Sequence, residues 1–515
     1  MNAPTTQQQA FIDAVARCDG NKALQARAGT GKTTTILSAV DALRAAHPER
    51  SVTVCAYNKA IADEVASKLK RRGHDDWKTV GAQTAHAMGW GLVRFAFRSP
   101  KIDANKVRDI VRTIIDGADA DGRPSPYGDA IPVYVLRQYG AQVMQLVSLG
   151  KQAGVGFFDD LPIGSVQVWA DLADHYDVNG LDETDAMEQV ISAAQVLYKL
   201  SLQMTHIVDF DDMILFPLIK NIRVKFTRDE IFVDEAQDIS RARFALVRKF
   251  VAPGGNLHII GDDRQAIYGF SGADTNAMAN MVEALGAEVF PLTVTFRCPK
   301  QVVALAQQIV PDYEAAAEAP EGEVLRVEEL PADLAPGDAI LCRNTAPLVS
   351  TAYALIRKGV ACKVEGRAIG TGLAKLARRW KVELIEDLLV RLEDYEARET
   401  QKALAKGSEQ KAQEVADKVA TLREICTAVQ LQGRQTVEDV VAFIENLFGD
   451  DVGTNVVVLA TYHRSKGREW QRVLLLEHAA RCPSKAARLP WQQLQERNLA
   501  YVAITRAMST LVFVR

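Results

Sequence analysis

The stretch Ala26-Arg27-Ala28-Gly29-Thr30-Gly31-Lys32-Thr33-Thr34 carries the Gly-Lys-Thr of a phosphate-binding loop. In such a loop backbone N–H groups and the lysine hold β- and γ-phosphates, and the hydroxyl that follows reaches Mg²⁺. Gly29 and Gly31 allow close approach to the phosphates, Lys32 faces the β/γ oxygens, and Thr33 supplies the hydroxyl. Ala28 to Thr34 are therefore the candidate ATP-binding residues. Ala26 stands where the general pattern has glycine, and alone the run also fits a glycine turn before an ordinary helix.

Farther along, the apolar run Ile231-Phe232-Val233 leads into Asp234-Glu235-Ala236-Gln237-Asp238. An Asp-Glu pair at a strand end is the arrangement that holds Mg²⁺ and activates a water. Asp234 is then the metal partner, and Glu235 orients or deprotonates the water. An isolated pair would read as an acidic loop after a buried strand; the phosphate loop upstream tips the reading to catalysis. Gln265, in the run Gly261 to Phe270, follows another strand. It would sense the γ-phosphate and report its loss to Tyr268 and Phe270, or it is a polar turn capping the next helix. Arg297 follows a strand, and the pattern puts Arg506 on an otherwise apolar helix. Each is either an arginine that stabilises the transferring phosphoryl group or half of a structural ion pair. These residue types together point to an ATP hydrolase.

A chain of 515 residues exceeds what one core supports, so roughly three or four domains are expected. The patterning predicts an α/β fold with two parallel-sheet lobes, each interrupted by a helical insertion. In the first lobe (1–95 and 205–290), strands are expected near 24, at 52–56, 230–233, 257–261 and 289–292, with helices at 33–45 and 60–70. Residues 96–204 read as its helical insertion. In the second lobe (291–372 and 452–515), strands are expected at 339–342, 456–460, 473–476 and 511–514. Its insertion, 373–451, reads as a helical hairpin: Leu384, Leu388 and Leu392 form one stripe and Val415, Val419, Leu422, Ile425 and Val429 another, with Gly407-Ser408 between them.

The net charge of −4 means that any polyanion is bound by a local groove, without steering by the whole-molecule field. The seven cysteines are scattered without Cys-x-x-Cys spacing, which argues against zinc and disulfides. With no leader-like N-terminus and no apolar run of membrane-spanning length, the expected setting is reduced and cytoplasmic, with no membrane partner.

The motifs form an ordered set that resembles the UvrD/Rep-type DNA helicases of superfamily one, from about residue 5 onward. Thr5 with Gln8 is similar to the family's N-terminal glutamine motif, whose amide reads adenine. Ala56-Tyr57-Asn58-Lys59-Ala60 and Thr84-Ala85-His86-Ala87 resemble its strand-contacting motifs, and Asp209-Phe210-Asp211-Asp212-Met213 an element typical of this branch. Gly261 to Ala273 resembles the coupling motif, with Ser271 where an arginine is usual. Thr295-Phe296-Arg297-Cys298 resembles the motif that opens the second lobe, where Phe296 would stack on adenine. Thr461 to Trp470 includes His463 and the ribose-side Glu469, with Arg468 at a usually apolar position. Glu496 to Ala507 resembles the last motif, with Arg506 as its finger.

The resemblance implies two RecA-like lobes, ATP with Mg²⁺ between them, and single-stranded DNA across both. Lys32, Thr33, Asp234, Glu235 and Gln265 would act from the first lobe, Arg297 and Arg506 from the second. Tyr57, Asn58, Thr84, His86, Phe270 and His463 would contact the strand, and single-strand/duplex junctions would be the substrate. The family's direction is 3′ to 5′. Rival readings are a translocase that strips proteins from single strands, a small-molecule kinase and a non-catalytic scaffold. RNA as substrate, protein partners, oligomeric state and pathway stay open at this level.

Overall fold

The computed structural model describes residues 3–119, 121–128, 130–176, 178, 184–268, 276–405, 409–449 and 456–515. The chain divides into two compact units, one of residues 1–26 and 31–292, the other of residues 27–30 and 293–515.

The first unit is built on six strands: β1 Lys22–Ala26, β2 Val52–Ala56, β3 Val80–Thr84, β4 Arg228–Val233, β5 Val251–Gly261 and β6 Glu288–Leu292. They run parallel in the order β3-β2-β4-β5-β1-β6. A parallel sheet is covered on both faces, so its strands read as near-continuous apolar runs. Alternate residues serve opposite cores. Leu24, Val54, Phe232 and Ile260 pack against the helices Thr6–Ala16 and Lys32–Ala46. Ala23, Cys55, Ile231, Val233 and Ile259 face Met88 and Leu246 on the other side. β3 was not foreseen from sequence. Its Gly81-Ala82-Gln83 lacks branched residues, and the strand is held by pairing with β2 from Val52↔Val80 to Ala56↔Thr84.

Register decides where the chemistry emerges. Gln25 lies opposite Gly261, Val233 opposite both Cys55 and Ile259, and Ala56 opposite Thr84. The loops after β1, β5, β4, β2 and β3 therefore open level with one another at the carboxyl edge, where ligands of open α/β sheets bind. Order across the sheet also sorts them: β1, β5 and β4 are neighbours and carry the phosphate loop, Gln265 and Asp234, while β2 and β3 carry Tyr57 and Thr84 to one side.

Residues 96–204 include the helices Lys106–Asp116, Val133–Ala153, Val166–His175 and Thr184–Gln203, which pack around Trp169, Val190 and Tyr198 in a core that also takes in Met213, Leu215 and Phe216. Buried charges tie this core to the helix Phe210–Ile219. Lys106 Nζ reaches Asp212 Oδ2 at 2.6 Å, and Lys151 Nζ reaches Asp209 Oδ2 at 2.6 Å and Asp212 Oδ1 at 2.8 Å. Asp209 also caps that helix, accepting the Asp212 N–H at 2.8 Å. Removing one member of a buried ionic cluster strands the others without counter-charge. Asp212→Ala is expected to cost about 3–5 kcal/mol of stability, read from the midpoint of denaturant unfolding. A loss below about 1 kcal/mol, the range of exposed pairs, would mean the cluster carries no such strain.

The second unit is also a parallel sheet, of β7 Glu323–Val327, β8 Ala339–Cys342, β9 Cys362–Glu365, β10 Phe448–Gly449, β11 Val457–Thr461, β12 Trp470–Leu476 and β13 Ala507–Val514. Their order is β7-β13-β12-β8-β11-β9-β10. β7 and β9 were not expected from the sequence. The helices Ile385–Ala405 and Glu409–Leu431 carry the two stripes: Leu388, Leu392, Val419, Leu422, Ile425 and Val429 share one core with Ile340, Leu459 and Leu474 of the sheet. Leu384 departs from its stripe. It precedes the helix, is exposed, and bridges to Thr436. A third helix, Val437–Leu447, adds Val440, Val441 and Ile444 to the core, so the stretch is more than a hairpin. Gly407-Ser408 lies outside the described residues.

Candidate active site

In the first unit a chain of hydrogen bonds links the loops after β1, β4 and β5. Lys32 Nζ lies 3.0 Å from Glu235 Oε1. The other oxygen of Glu235 accepts from Gln237 Nε2, and Gln237 Oε1 accepts the Asp262 N–H at 3.0 Å. Asp262 Oδ2 accepts from Gln265 Nε2 at 2.7 Å. The structure thus brings together Lys32, Glu235 and Gln265, all placed at the site from sequence. Gln265 lies in a short 3₁₀ turn, Asp263–Gln265, after β5, with Asp262 as its cap. Gln237 and Asp262, which connect them, were overlooked. A Cβ at Gly261 would meet Gln237 Oε1 at 2.3 Å and Met278 Sδ at 2.7 Å, so glycine at this strand end leaves room for the bridging side chain.

Asp234 is almost wholly buried, and its Oδ1 accepts the Glu235 N–H at 2.9 Å. Burial, then the charge of Glu235, pushes its carboxyl up to about 6 despite Lys32. Burial opposes the Lys32 charge, but Glu235, Asp234 and Asp262 outweigh it and hold its pKa above the ordinary value. Glu235 itself has φ of +52°, a left-handed backbone uncommon outside glycine and found where a site over-determines its residues. A buried carboxylate held against its solvation preference is what a divalent cation relieves. Asp234 and the Thr33 hydroxyl would offer hard oxygen donors of the kind Mg²⁺ takes. Among the described residues no group of three or more His, Cys, Asp or Glu makes a metal site unaided.

The raised Asp234 pKa has a measurable consequence. A carboxyl whose folded pKa (about 6) exceeds its ordinary 3.8 favours folding while protonated. That contribution is complete below the unfolded value and lost as pH rises through about 6. Asp234→Asn keeps the oxygen that accepts the Glu235 N–H and removes the charge. The nucleotide-free variant is expected to melt above the parent at pH 8, with the gap closing at about pH 4, while ATP turnover is lost. Coincident melting curves at pH 8 would count against the assignment.

Gly31, with φ of +84°, precedes the helix Lys32–Ala46, and a Cβ on it would lie 3.0 Å from Gln8 Nε2. Gln8 Oε1 accepts the Thr5 N–H at 3.0 Å in a capping box, so its amide is the one beside the phosphate loop; Gln9 is engaged with Asp13. Thr33 is half-buried and Thr34 exposed on the helix's first turn.

Strand-contact candidates line the loops after β2 and β3. Tyr57 stacks on Tyr268 with centroids 6.2 Å apart and planes 8° from parallel. Asn58 caps the helix Lys59–Arg71 through Ile61, and Thr84 caps the helix Ala85–Ala96 through Ala87. Both side chains thereby fix helix N-termini, whose N–H groups suit phosphates. His86 is pushed down to about 4 by burial and Arg243, so it is neutral near pH 7 and presents a ring rather than a charge. Phe210 stands edge-on to it at 6.3 Å, more than half exposed. Phe210 is not among the strand-contact candidates that the sequence offers, although it lies in the Asp209-Phe210-Asp211-Asp212-Met213 motif. Phe270 and Ser271 lie outside the described residues.

In the second unit Gly29, with φ of +70°, lies against Thr295 and Arg297. A Cβ on it would fall 2.6 Å from Thr295 Oγ1 and from the Arg297 Cβ, and its carbonyl accepts the Phe296 N–H at 2.9 Å. The Ala28 N–H donates to Tyr501 Oη at 3.0 Å, and Thr30 Oγ1 donates to the Arg27 carbonyl at 2.8 Å. Arg297 Nε lies 2.5 Å from Glu469 Oε2, and its Nη1 lies 3.4 Å from the Thr505 carbonyl. Phe296 beside it is exposed.

Arg506 corrects the sequence expectation. The helix Pro490–Ile504 ends before it, and it joins that helix to β13. It is fully buried, donating from Nε to the Val502 carbonyl at 2.7 Å and from Nη1 to the Arg468 carbonyl at 3.0 Å. Burial first, and then Arg297, lowers its pKa to about 10. A buried cation destabilised by a second cation beside it makes a place for an anion. His463 is driven down to about 3 by burial, Arg343 and Lys466, so it too is uncharged at neutral pH. Arg468 pairs with the buried carboxylate of Glu365, which accounts for a charge where the family is usually apolar.

Residues 5–285 match the UvrD/REP helicase N-terminal domain, and residues 369–515 match the UvrD-like helicase C-terminal domain. The chain belongs to the UvrD/REP helicase family. Among curated relatives, the ATP-dependent DNA helicase srs2 of Schizosaccharomyces pombe is 32% identical over 139 residues, 26% of this chain and 16% of the relative. The ATP-dependent DNA helicase PcrA of Bacillus subtilis is 31% identical over 131 residues, 24% of this chain and 18% of the relative. PcrA of Staphylococcus aureus is 28% identical over 137 residues, covering 25% and 19%. The alignments thus span less than a fifth of each relative's length. In this UvrD/REP family chain the α/β class and the two parallel sheets agree with the expectation from sequence.

Proposed function

We propose that this chain is an ATP-dependent DNA helicase that moves 3′ to 5′ along single-stranded DNA and opens duplexes at single-strand/duplex junctions. The observation that carries the reading is the network joining Lys32, Glu235, Gln237, Asp262 and Gln265, beside the buried Asp234. Its parts are those of a nucleotide-hydrolysing site: a cation for the β/γ-phosphates, a carboxylate for Mg²⁺, a carboxylate for the water and an amide that senses the phosphate.

In this reading Ala28 to Thr34 hold ATP, with Gln8 at the adenine edge, Phe296 stacked on the base and Glu469 at the ribose. Thr33 and Asp234 hold Mg²⁺, which neutralises phosphate charge when bound. Glu235 leaves Lys32 to the phosphates and takes a proton from, or orients, the attacking water. Arg297 and Arg506 meet the phosphoryl charge. When the γ-phosphate leaves, Gln265 loses its partner, and the change passes through Asp262 and Gln237 to Glu235 and toward Tyr268, the neighbour of Tyr57. Tyr57, His86, Phe210 and Phe270 give sequence-tolerant stacking surfaces, each worth about 1–3 kcal/mol per base. Asn58 and Thr84 present helix N-termini to the backbone, and His463 meets the strand from the second lobe. The segments 96–204 and 373–451 act as insertions of the two RecA-like lobes.

Seven free cysteines fit a reduced, cytoplasmic setting. Among the described residues no helix is long and apolar enough to cross a membrane. The deciding experiment offers duplexes tailed at the 3′ or the 5′ end, with ATP. Opening of the 3′-tailed duplex alone is expected. Strand-stimulated hydrolysis with removal of a bound protein but no opening would replace the helicase by a translocase.

A further inference from the structure

A groove of about 1040 Å³ runs along the β3 edge of the first unit's sheet, and among the described residues Ala87 is the one lining residue it shares with the nucleotide and strand-contact motifs. Its floor is aliphatic and aromatic: Leu69, Val80, Met88 and Phe250. Three large rings stand at its mouth with unusual exposure, Trp77 at 71%, Phe95 at 69% and Phe226 at 81%. Scattered exposed apolar residues are ordinary, but three rings converging on one concavity are not. Their positions are built in. Arg228 donates to Thr53 Oγ1 at 3.0 Å and to the Lys78 carbonyl at 2.7 Å, pinning the turn that carries Trp77. Lys225 Nζ lies 3.7 Å from the Phe95 ring centroid.

The rim is cationic. Lys70, Lys78, Arg223, Lys225 and Arg228 line the groove, with Asp75 as the carboxylate among its lining residues. In a chain of net charge −4 this is a local inversion of sign. β3 is the terminal strand of its sheet, and Gly81, Ala82 and Gln83 line the groove, so the groove follows a sheet edge. A sheet edge flanked by exposed rings invites indiscriminate association, and folds that keep one cover it.

We propose that this groove docks a segment of another protein in which aromatic or aliphatic anchors alternate with aspartates and glutamates. The rings and floor take the anchors, and the lysine rim takes the carboxylates, setting encounter rate and specificity. The sheet edge can hydrogen-bond a polypeptide backbone as nothing else can. Single-stranded nucleic acid would stack on the rings but would set its phosphates over an aliphatic floor.

The test selects short peptides from a random display library against the full chain, counter-selecting with the Trp77→Ser/Phe226→Ser variant. Enriched peptides should combine Phe, Trp or Leu with Asp or Glu. By fluorescence anisotropy they should bind at least tenfold more weakly to that variant and to a Lys70→Glu/Lys78→Glu/Lys225→Glu variant, and more weakly as salt rises. ATP turnover should be unchanged in both variants, which also shows that they fold. Peptides without acidic bias, or equal binding to parent and variants, would overturn the proposal. So would a matching loss of oligothymidylate affinity in the same variants, which would make the groove a nucleic-acid surface.

Discussion

Lys32→Ala is expected to lower ATP turnover by at least 10²–10³, roughly the cost of deleting one preorganised charge-stabilising donor at a transition state, while the protein stays folded. Lys32 is the cation facing Glu235, Asp234 and Asp262 together, so nothing else in the network replaces its charge. Its removal also leaves Asp234 harder to ionise, and the variant should become more stable on mild acidification, opposite to ordinary acid destabilisation. The measurement is DNA-stimulated phosphate release, with far-ultraviolet circular dichroism as the folding control. Stimulated release at near the parental rate would remove Lys32 from the site.

Arg297→Ala is the second large effect, a fall in turnover on the order of 10³–10⁵ if this arginine stabilises the phosphoryl group. Stability separates that role from a structural one. The Arg297–Glu469 pair is partly open to solvent, with Glu469 nearly half exposed, and such pairs are worth only about 0–1 kcal/mol. A thousandfold rate loss with a melting point within a few degrees of the parent therefore marks catalysis. A rate loss below tenfold would leave Arg297 as an ion pair. Arg506 is a poorer probe, because its buried guanidinium also holds the Val502 and Arg468 carbonyls. Arg297→Lys keeps the charge but loses the planar fork, and should fall between parent and alanine.

The sequence read well wherever local chemistry and position coincide. Gly31-Lys32-Thr33 must form a turn into a helix, and the helix begins at Lys32. Strands flanked by apolar runs on both faces, such as Arg228–Val233 and Ala339–Cys342, announced themselves through that run. β3 and β9 did not, because their residues are held by neighbouring strands rather than by their own propensity. The helical boundary near Arg506 escapes the sequence because no glycine or proline separates the helix from the strand, and Ala507-Met508 suit a helix as well.

From residue order alone came the list of charged and aromatic groups, their motifs and the α/β class, since each rests on what a side chain and its near neighbours can do. Partnership came only from the fold. Gln237 joins Glu235 to Asp262 because parallel pairing and register bring distant strand ends level at one edge; Phe210 stands beside His86 because the helices Phe210–Ile219 and Ala85–Ala96 pack closely, Gly89 against the Met213 carbonyl. The groove beside Trp77 and Phe226 is of the same kind: no short-range pattern marks it, and it exists because residues far apart in the chain meet at the margin of the sheet.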